Sequence, residues 1–386
     1  ASLLAACGDK DSPPAATPNM TFDDVVAAEG NGGTNTVSVK LVLNQPAPGP
    51  LSVTWSTVEG TAKAGQDYTA VTHQTVSFQS GEKEKTIVVT VVADDIREAD
   101  ETFQVRVENP VNVNLLKGTA IIRLTNDDTK VPFNNTGYDA PTSYAGYTLA
   151  WSDEFNGSSL DAAAWTAETG DGCPGLCGWG NNELEYYTNP PNNLFFQDGK
   201  MIIEAKEESF GGKNYTSSRI KTQGKKTFRF GRIDMRAILP KGKGIWPAFW
   251  MMPQNSVFGG WPQSGEIDIM EVVGHEPNKL HGTIHYGPGP GSIQISRSTT
   301  LSTGTLNDEF HVYSLEWKED QINWLLDGVV FSTVNKADLG SNNYPFNEDF
   351  FLILNLAVGG NWPGSPDANT LFPAWMIVDY VRVYQQ

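Results

Sequence analysis

The sequence predicts an all-β protein made of two sandwich domains joined by a linker. Short runs in which apolar and polar residues alternate recur along the chain, and no long amphipathic helical pattern competes with them. The composition combines 38 Gly, 23 Pro and 11% aromatic residues with 19% charged residues, which suits strands joined by many turns. Because 386 residues exceed what one hydrophobic core usually holds, two domains are expected.

The first 21 residues contain a short apolar segment that ends at a cysteine. Leu4-Ala5-Ala6-Cys7 resembles a bacterial lipobox, in which the cysteine becomes lipidated, although the charged and apolar regions expected upstream are missing. The polar, Pro-rich residues that follow suit a flexible tether. We therefore expect a secreted protein or a lipoprotein anchored to the bacterial surface through Cys7.

Residues 22–128 form the first predicted domain, whose alternating runs are VSVKLVLN, LSVTWSTV, TVSFQ, KTIVVTVV, TFQVRVEN and TAIIRLTN. Period-two runs broken by turn residues at this spacing predict an antiparallel β-sandwich. The order GQDYTAV, VSFQSGEKEKTIVVTVVADD, EADETFQVRVENP and LTNDD resembles the Calx-beta domain, which implies an immunoglobulin-like sandwich.

Some Calx-beta domains bind calcium through acidic residues clustered at one end. In this chain that resemblance would assign the role to five residues: Glu29, Asp67, Asp95, Glu98 and Asp128. The alternative, that they are solvated carboxylates in turns, stays open at this point.

Residues 129–145 lack sustained periodicity and are rich in Pro, Gly, Asn and Thr, so they are predicted to be a linker. Strand-like runs return in residues 146–386, among them RIDMRAIL, EIDIMEVV, FHVYSLEW and FFLILNLAV. They predict a second, larger β-sandwich or jelly roll.

Two cysteines lie close together in this second domain, in the segment DGCPGLCGWG. The spacing of Cys173 and Cys177, with Gly and Pro between them, allows a tight disulfide loop, which would imply an oxidising compartment. Zinc is the alternative, but two thiolates without a nearby His or a further Cys make an incomplete site.

The segment SGEIDIMEVVG, residues 264–274, places three carboxylates on one predicted strand. Glu266 and Asp268 share a face, whereas strict alternation would turn Glu271 into the core. A single β-bulge near Met270 returns Glu271 to the acidic face, and bulges are frequent beside active sites. One ionised and one protonated carboxyl group on one face suit glycoside hydrolysis with retention. Mutual repulsion would keep Glu271 protonated while Glu266 stays ionised.

This ExDxxE pattern occurs with WSDEFNG, WGNNELEYYT, GIWPAFWMMP, HGTIHYG and FFLILNLAVGGNWPG, and together they resemble glycoside hydrolase family 16 in its bacterial laminarinase branch. The resemblance covers about residues 146–386 and implies a concanavalin-like β-jelly roll. It also implies a secreted endo-β-1,3-glucanase with Glu266 as nucleophile, Asp268 as its electrostatic helper and Glu271 as general acid/base. The lichenase branch has an unbulged ExDxE, from which this chain departs.

Substrate-facing residues follow from alternation and from the same resemblance. In GIWPAFWMM, the small Ala248 lies between Trp246 and Trp250 on one face, which leaves room for a sugar ring; the alternative places both indoles in the core. His285 and Asn355 are expected to face the cleft because their neighbours in sequence face the core. By resemblance, the further sugar contacts are Asn182, Glu185, Arg219, Trp261 and Trp362. Glu185 stands where this motif is expected to have Gln, which puts its contact in doubt.

The family commonly holds one structural calcium far from the catalytic acids. The resemblance of DEFNG and IVDYVRVY to that pattern assigns it to Glu154, Gly199 and Asp379, two of them through backbone carbonyls. No cofactor is expected for catalysis.

Two rival functions remain open. An enzyme of the same fold could cut mixed-linkage glucan, agar, porphyran or carrageenan, although the cleft motifs lack the clustered Arg that sulfate recognition favours. A non-catalytic glucan-binding protein is disfavoured because such proteins lack the catalytic glutamates. The net charge of −18 opposes nucleic acid as a partner, and we expect a monomer that binds polysaccharide.

Overall fold

A computed structural model describes residues 16–386 and divides the chain into two compact units, Ala1–Pro132 and Phe133–Gln386. The predicted all-β class is confirmed, because within the described residues helical structure is confined to three 3₁₀ turns, Cys177–Gly180, Lys336–Leu339 and Pro345–Asn347. Among residues 16–386, no helix is both long and apolar enough to span a membrane. The predicted lipidation site, Cys7, lies outside the described residues.

In residues 16–132 the first unit is a sandwich of two sheets. Its strands are β1 Asn19–Thr21, β2 Val25–Ala28, β3 Gly33–Leu43, β4 Leu51–Glu59, β5 Gln74–Phe78, β6 Glu84–Ala93, β7 Glu101–Val111, β8 Asn114–Leu115 and β9 Thr119–Thr125. One sheet has the order β6-β3-β1-β8 and the other β2-β9-β7-β4-β5. The predicted alternation is confirmed on β3 and β4, where Val39, Leu41, Val53 and Trp55 point into one shared core.

Several of the acidic residues predicted at one end of this unit converge. Carboxylate oxygens of Asp67, Glu98 and Glu101 lie within 4.8 Å of one another. Burial, followed by the charges of neighbouring carboxylates, raises the pKa of Glu29 to about 7. Glu101 was missed by the sequence analysis, and burial together with Asp67 raises its pKa to about 8.

The two remaining predicted acidic residues differ from each other. Asp128 is buried, and its Oδ1 accepts a hydrogen bond of 2.8 Å from Asn31. Asp95 instead forms an exposed ion pair of 2.8 Å with Lys130. Calcium binding at this end of the first unit stays a prediction.

The second unit contains two larger sheets. Its strands are β10 Thr148–Asp153, β11 Thr166–Glu168, β12 Glu185–Tyr187, β13 Leu194–Gln197, β14 Lys200–Phe210, β15 Lys213–Ser217, β16 Arg219–Lys221, β17 Gly231–Ile238, β18 Ile245–Pro253, β19 Glu266–Glu271, β20 Lys279–Tyr286, β21 Ile293–Thr300, β22 His311–Lys318, β23 Gln321–Leu326, β24 Val329–Asn335, β25 Phe350–Val358 and β26 Ala374–Gln385.

One of these sheets has ten strands and the other seven. The ten-stranded sheet follows the order β12-β15-β14-β26-β17-β22-β23-β24, with β13 paired to β14 and β10 paired to β26. The seven-stranded sheet follows the order β11-β16-β25-β18-β19-β20-β21. Both contribute to one core, in which Met235 and Val381 from the first sheet meet Phe249 and Leu354 from the second. The opposite face of β18, β19 and β20 is therefore free to carry polar chemistry.

Part of the predicted linker belongs to the second unit. The backbone N–H of Tyr138 donates to the carbonyl of Phe310 at 2.9 Å, and Arg236 Nε donates to the carbonyl of Tyr138 at 2.7 Å. The Tyr380 hydroxyl donates to Asp139 at 2.8 Å. Hydrogen bonds to its backbone and to Asp139 hold this segment to the second unit, and such bonds leave no alternation in the sequence that could reveal them.

Candidate active site

Strand β19 carries the three predicted catalytic carboxylates, and the predicted bulge is confirmed. Asp268 lies opposite Thr283 of β20, whereas Glu271 lies opposite His281, so one residue more than alternation allows separates the two acids. The same shift occurs against β18, where Trp250 pairs with Asp268 and Ala248 with Glu271. The bulge turns Glu271 to the face that carries Glu266 and Asp268.

Each of the two glutamates is oriented by an indole. Trp261 Nε1 donates to Glu266 Oε2 at 2.6 Å, and Trp246 Nε1 donates to Glu271 Oε1 at 3.2 Å. These two tryptophans therefore have a polar role besides offering apolar faces to sugar rings.

His285 lies beside the other two acids of the strand. Its Nε2 is 3.3 Å from Asp268 Oδ2 and 3.9 Å from Glu266 Oε1. Its Nδ1 is 3.1 Å from the hydroxyl of Ser292, which can fix the orientation of the ring. Ligand atoms of Glu266, Asp268 and His285 lie within 4.8 Å of one another, so the group could also hold a cation.

The three carboxyl groups cannot all be ionised at neutral pH. Burial raises the pKa of each of them, and the charge of Asp268 adds to the shift at Glu266 and Glu271. The pKa is about 8 for Glu266, about 7 for Asp268 and well above the usual value for Glu271. Glu266 and Asp268 are hydrogen-bonded to each other, so one proton can reside on either of them. Glu271 is the group best suited to remain protonated.

The carboxylates open into a cleft of about 750 Å³ whose walls include several aromatic side chains. Trp246, Ala248 and Trp250 line the cleft, while Phe249 and Met251 are buried in the core, so the alternation predicted for β18 is confirmed. Seven of the predicted sugar contacts line the cleft: Arg219, Trp246, Trp250, Trp261, His285, Asn355 and Trp362.

Two predicted sugar contacts do not line the cleft. Glu185 is fully buried on β12, where its Oε2 accepts a hydrogen bond of 2.7 Å from the N–H of Val358. This prediction, made from resemblance alone, was wrong because a motif match does not reveal that a distant strand binds the side chain and buries it. Asn182 is exposed, but its side chain donates to Asn361 at 2.8 Å and is not part of the cleft wall.

The structure adds cleft residues that the sequence analysis missed, namely Glu168, Leu176, Trp179, Glu183 and Lys221. The guanidinium of Arg219 lies 4.5 Å from the ring of Trp179 and 4.9 Å from that of Trp250, so the cation is held between two indoles. Glu168 accepts hydrogen bonds from both Arg219 and Lys221. Glu183 precedes strand β12 by two residues, so strand alternation gave no signal for it.

The structure contains the predicted disulfide between Cys173 and Cys177. The loop that it closes contains Leu176, and Trp179 lies two residues after Cys177. Both side chains line the cleft. The bonded loop therefore builds part of the cleft wall.

The residues assigned to a structural calcium do not fit an ion held by free carboxylates. Asp379 accepts from Lys200 Nζ at 2.8 Å and from Arg236 Nη1 at 2.6 Å, so each of its oxygens already faces a cation. Glu154 forms a bidentate pair with Arg382. Gly199 can offer only its backbone carbonyl. Protein cations thus already neutralise the carboxylates of Asp379 and Glu154, and calcium binding that uses backbone carbonyls here stays a prediction.

Paired carboxyl groups of unequal pKa, in a cleft with aromatic walls, are the chemical equipment of a glycoside hydrolase. The second unit has this equipment and belongs to that class of enzymes. Residues 181–380 match the family described as glycosyl hydrolases family 16, and the chain belongs to this family. Residues 17–128 match the Calx-beta domain, as predicted.

Similar proteins and a similar solved structure agree with this family assignment. The chain is 39% identical over 259 residues to the Beta-glucanase of Rhodothermus marinus, a match that covers 64% of this chain and 89% of that protein. It is 43% identical over 273 residues to Glucan endo-1,3-beta-glucosidase A1 of Niallia circulans, which covers 65% of this chain but 39% of that protein. The crystal structure of endo-beta-1,3-glucanase from Pyrococcus furiosus is 46% identical, with a TM-score of 0.58, and the match covers 62% of this chain and 94% of that one.

Proposed function

We propose that the second unit is a retaining endo-β-1,3-glucanase that hydrolyses laminarin-type polysaccharide. The observation that carries the proposal is the bulge in β19, which brings Glu266 and Glu271 to one face beneath the cleft. The relatives named as endo-1,3-glucanases support β-1,3-glucan as the substrate class.

The reaction would proceed by double displacement. In the first step the Glu266 carboxylate attacks the anomeric carbon while Glu271 gives its proton to the departing glycosidic oxygen, which leaves a glycosyl ester on Glu266. In the second step Glu271, now ionised, takes a proton from water as the water oxygen attacks the same carbon. The ester bond breaks, Glu266 is regenerated, and two inversions give net retention.

Asp268 would hold the proton that Glu266 must lose before the first step. When the proton shared with Glu266 resides on Asp268, Glu266 is ionised and can act as nucleophile. The Trp261 indole also favours this form, because its N–H donates to the charged Glu266 carboxylate.

The charges of the cleft support a neutral glucan over sulfated galactans. Two cationic side chains, Arg219 and Lys221, line the cleft, and the Glu168 carboxylate engages both of them. A sulfate would have to displace this carboxylate. Both catalytic glutamates are present, which opposes the non-catalytic alternative.

We further propose that the protein is exported and can be lipidated at Cys7. The Cys173–Cys177 disulfide supports an oxidising compartment, and the lipobox-like residues before Cys7 support an anchor. Mass spectrometry of the N-terminal peptide, purified from the membranes of the source cells, tests the anchor. An unmodified Cys7 thiol there would contradict it.

The experiment that tests the activity compares products from laminarin, lichenan, agarose and carrageenan under one set of conditions. We expect the fastest release of reducing sugars from laminarin, with oligosaccharides of mixed length as early products. Faster release from agarose or carrageenan would exclude laminarin as the preferred substrate. NMR of the first product tests the stereochemistry, because an α-configured reducing end would mean inversion.

A further inference from the structure

Behind the Arg219 side of the cleft lies a buried carboxyl group that the reaction does not use. Glu185 is fully buried, and its Oε2 accepts the N–H of Val358 at 2.7 Å. Its Oε1 is also buried and has no donor partner in the protein. A buried carboxylate oxygen without a donor is costly, whereas a protonated carboxyl group could itself donate from that oxygen.

The acceptor for such a donation is Glu183, whose carboxyl group lies beside that of Glu185 and interacts with it. Glu183 lines the cleft and also accepts from Tyr187 at 3.1 Å and from Asn181 at 3.3 Å. The chain of hydrogen bonds continues as Asn355 Nδ2 donates to the Tyr187 hydroxyl at 3.3 Å. Glu183 is thus the centre of a network that needs it to be an acceptor.

The network ends on the cleft wall. Trp250 Nε1 donates to Asn355 Oδ1 at 2.7 Å, so the orientation of this indole depends on the same chain of bonds. Arg219 interacts electrostatically with Glu183 and packs against the ring of Trp250. The position of two cleft residues is therefore tied to the buried carboxyl pair.

Charge balance indicates which form the pair takes. The cation beside the network is Arg219, and the carboxylate of Glu168 binds both Arg219 and Lys221. Burial raises the pKa of Glu183 as well, but Arg219 and the hydrogen bonds from Asn181 and Tyr187 lower it, so Glu183 is the member of the pair better suited to carry the charge. With Glu183 ionised, these groups sum to two positive and two negative charges. A charged Glu185 would add an unpaired negative charge where no solvent reaches it.

We propose that Glu185 is a positioning residue that stays protonated and, by donating to the Glu183 carboxylate, fixes Trp250 and Arg219 for sugar binding. Burial and then the charge of Glu183 raise the pKa of Glu185 well above its usual value, which agrees with the geometry. The effect on sugar binding rests on the glucanase activity proposed above, but the protonation state does not.

The protonation state is tested by the stability of Glu185→Gln and wild type between pH 5 and pH 9. If folding raises the pKa of a carboxyl group, its contribution to stability is fully present at pH values below the pKa of the unfolded protein. That contribution is lost as the pH rises through the higher pKa of the folded protein. The ratio of folded to unfolded wild type should fall about tenfold per pH unit relative to the Gln variant, since one proton is involved. Glu185→Ala lacks the same proton and should give the same slope even though it is less stable.

Glu309→Gln, at an exposed glutamate of the same unit, is the control and should differ from wild type by a constant amount. A constant difference for both Glu185 variants would overturn the proposal, because it would mean that Glu185 is ionised in the folded protein.

The positioning role is tested by KM on laminarin oligosaccharides. Glu185→Ala should raise KM about tenfold with a smaller change in kcat, and Glu185→Gln should restore it, because the amide N–H₂ donates to Glu183 in place of the acid. Equal KM values for wild type and the Ala variant would overturn the positioning role. If all three proteins lack glucanase activity while the pH slopes differ, the proposed function fails and the protonation of Glu185 stands.

Discussion

At the level of single residues, the chemistry proposed for the second unit depends on how Glu266, Asp268 and Glu271 share protons. Asp268 is buried and the two glutamates are part-buried, and all three have raised pKa values, yet their hydrogen-bond partners differ. Glu266 receives the indole N–H of Trp261, while Asp268 faces His285. Different surroundings therefore suit carboxyl groups of the same chemistry to separate roles.

The separate roles predict different failures for two variants. Glu266→Ala should lose hydrolysis of laminarin, but azide can enter the vacated space and give a glycosyl azide of inverted configuration. Glu271→Ala should lose roughly 100-fold to 10,000-fold in kcat on laminarin, the usual contribution of a general acid. On an aryl glucoside with a good leaving group, its first step should be nearly normal, because departure needs no proton.

Stopped-flow release of the aryl group and NMR of the azide product are the measurements. Asp308→Ala, at an exposed carboxylate, is the matched control and should respond to neither azide nor leaving group. Equal losses of Glu271→Ala on both substrates would contradict its assignment as the acid.

At the level of elements, two connections hold the site and its sheet in place: the disulfide loop beside the cleft and an ion-pair cluster that joins three strands. The loop carries Leu176 and leads to Trp179, which packs on Arg219. In the cluster, Asp379 of β26 binds Lys200 of β14 and Arg236 of β17. The disulfide itself is local, whereas the packing of Trp179 on Arg219 and the ion pairs of Asp379 join segments far apart along the chain.

Removing the disulfide should weaken substrate binding more than catalysis. In the double variant Cys173→Ser and Cys177→Ser, we expect KM for laminarin to rise about threefold to tenfold, because an unbraced loop must be ordered by the substrate. The catalytic carboxylates on β19 lie outside the loop, so kcat should change little. Steady-state kinetics of wild type with and without reductant provide the comparison. A fall in kcat at unchanged KM would show that the loop supports the carboxylates instead.

Asp379→Asn should destabilise the second unit by about 3 kcal/mol, because it leaves two largely buried cations without their carboxylate. Glu348→Gln is a matched control, since its ion pair with Arg229 is more exposed and should contribute less than about 1 kcal/mol. EDTA should not lower the unfolding midpoint of the second unit, followed separately from that of the first, if Lys200 and Arg236 neutralise Asp379 in place of a metal. A large fall with EDTA would instead support calcium. Thermal and denaturant unfolding measure these effects.

At the level of the whole molecule, two units with separate cores divide the tasks. The first unit has its own core around Val39 and Trp55, and the cleft is lined entirely by residues of the second. The Pyrococcus furiosus structure, of which the match covers 94%, corresponds to 62% of this chain. The catalytic cleft is therefore complete within the second unit.

Deleting residues 1–132 should change kcat/KM on short soluble β-1,3-oligosaccharides by less than about threefold, because no cleft residue is removed. The deletion keeps Asn135 and Tyr138, which bind Arg236. A second deletion, of residues 1–145, is the comparison and should lower the thermal midpoint, since it removes these contacts and leaves Arg236 with fewer partners. A large loss of activity in the first deletion would show that the first unit contributes to the cleft.

The sequence by itself determined the strands, the division into two sandwiches and the three carboxyl groups that share one face of β19. These features follow from local rules: alternation fixes which side chains of β18 share a face, and the extra residue in ExDxxE requires a bulge if Glu271 is to join Glu266.

Only the tertiary structure decided which polar residues reach the cleft. Glu183 and Glu185 look alike in sequence, but Val358, from a strand more than 170 residues away, covers one of them and leaves the other on the cleft wall. The sandwich of Trp179, Arg219 and Trp250 and the pairing of Asp379 with Lys200 and Arg236 likewise join distant segments. Burial and the charge of partners set the pKa of each of these groups, and neither is encoded within one strand.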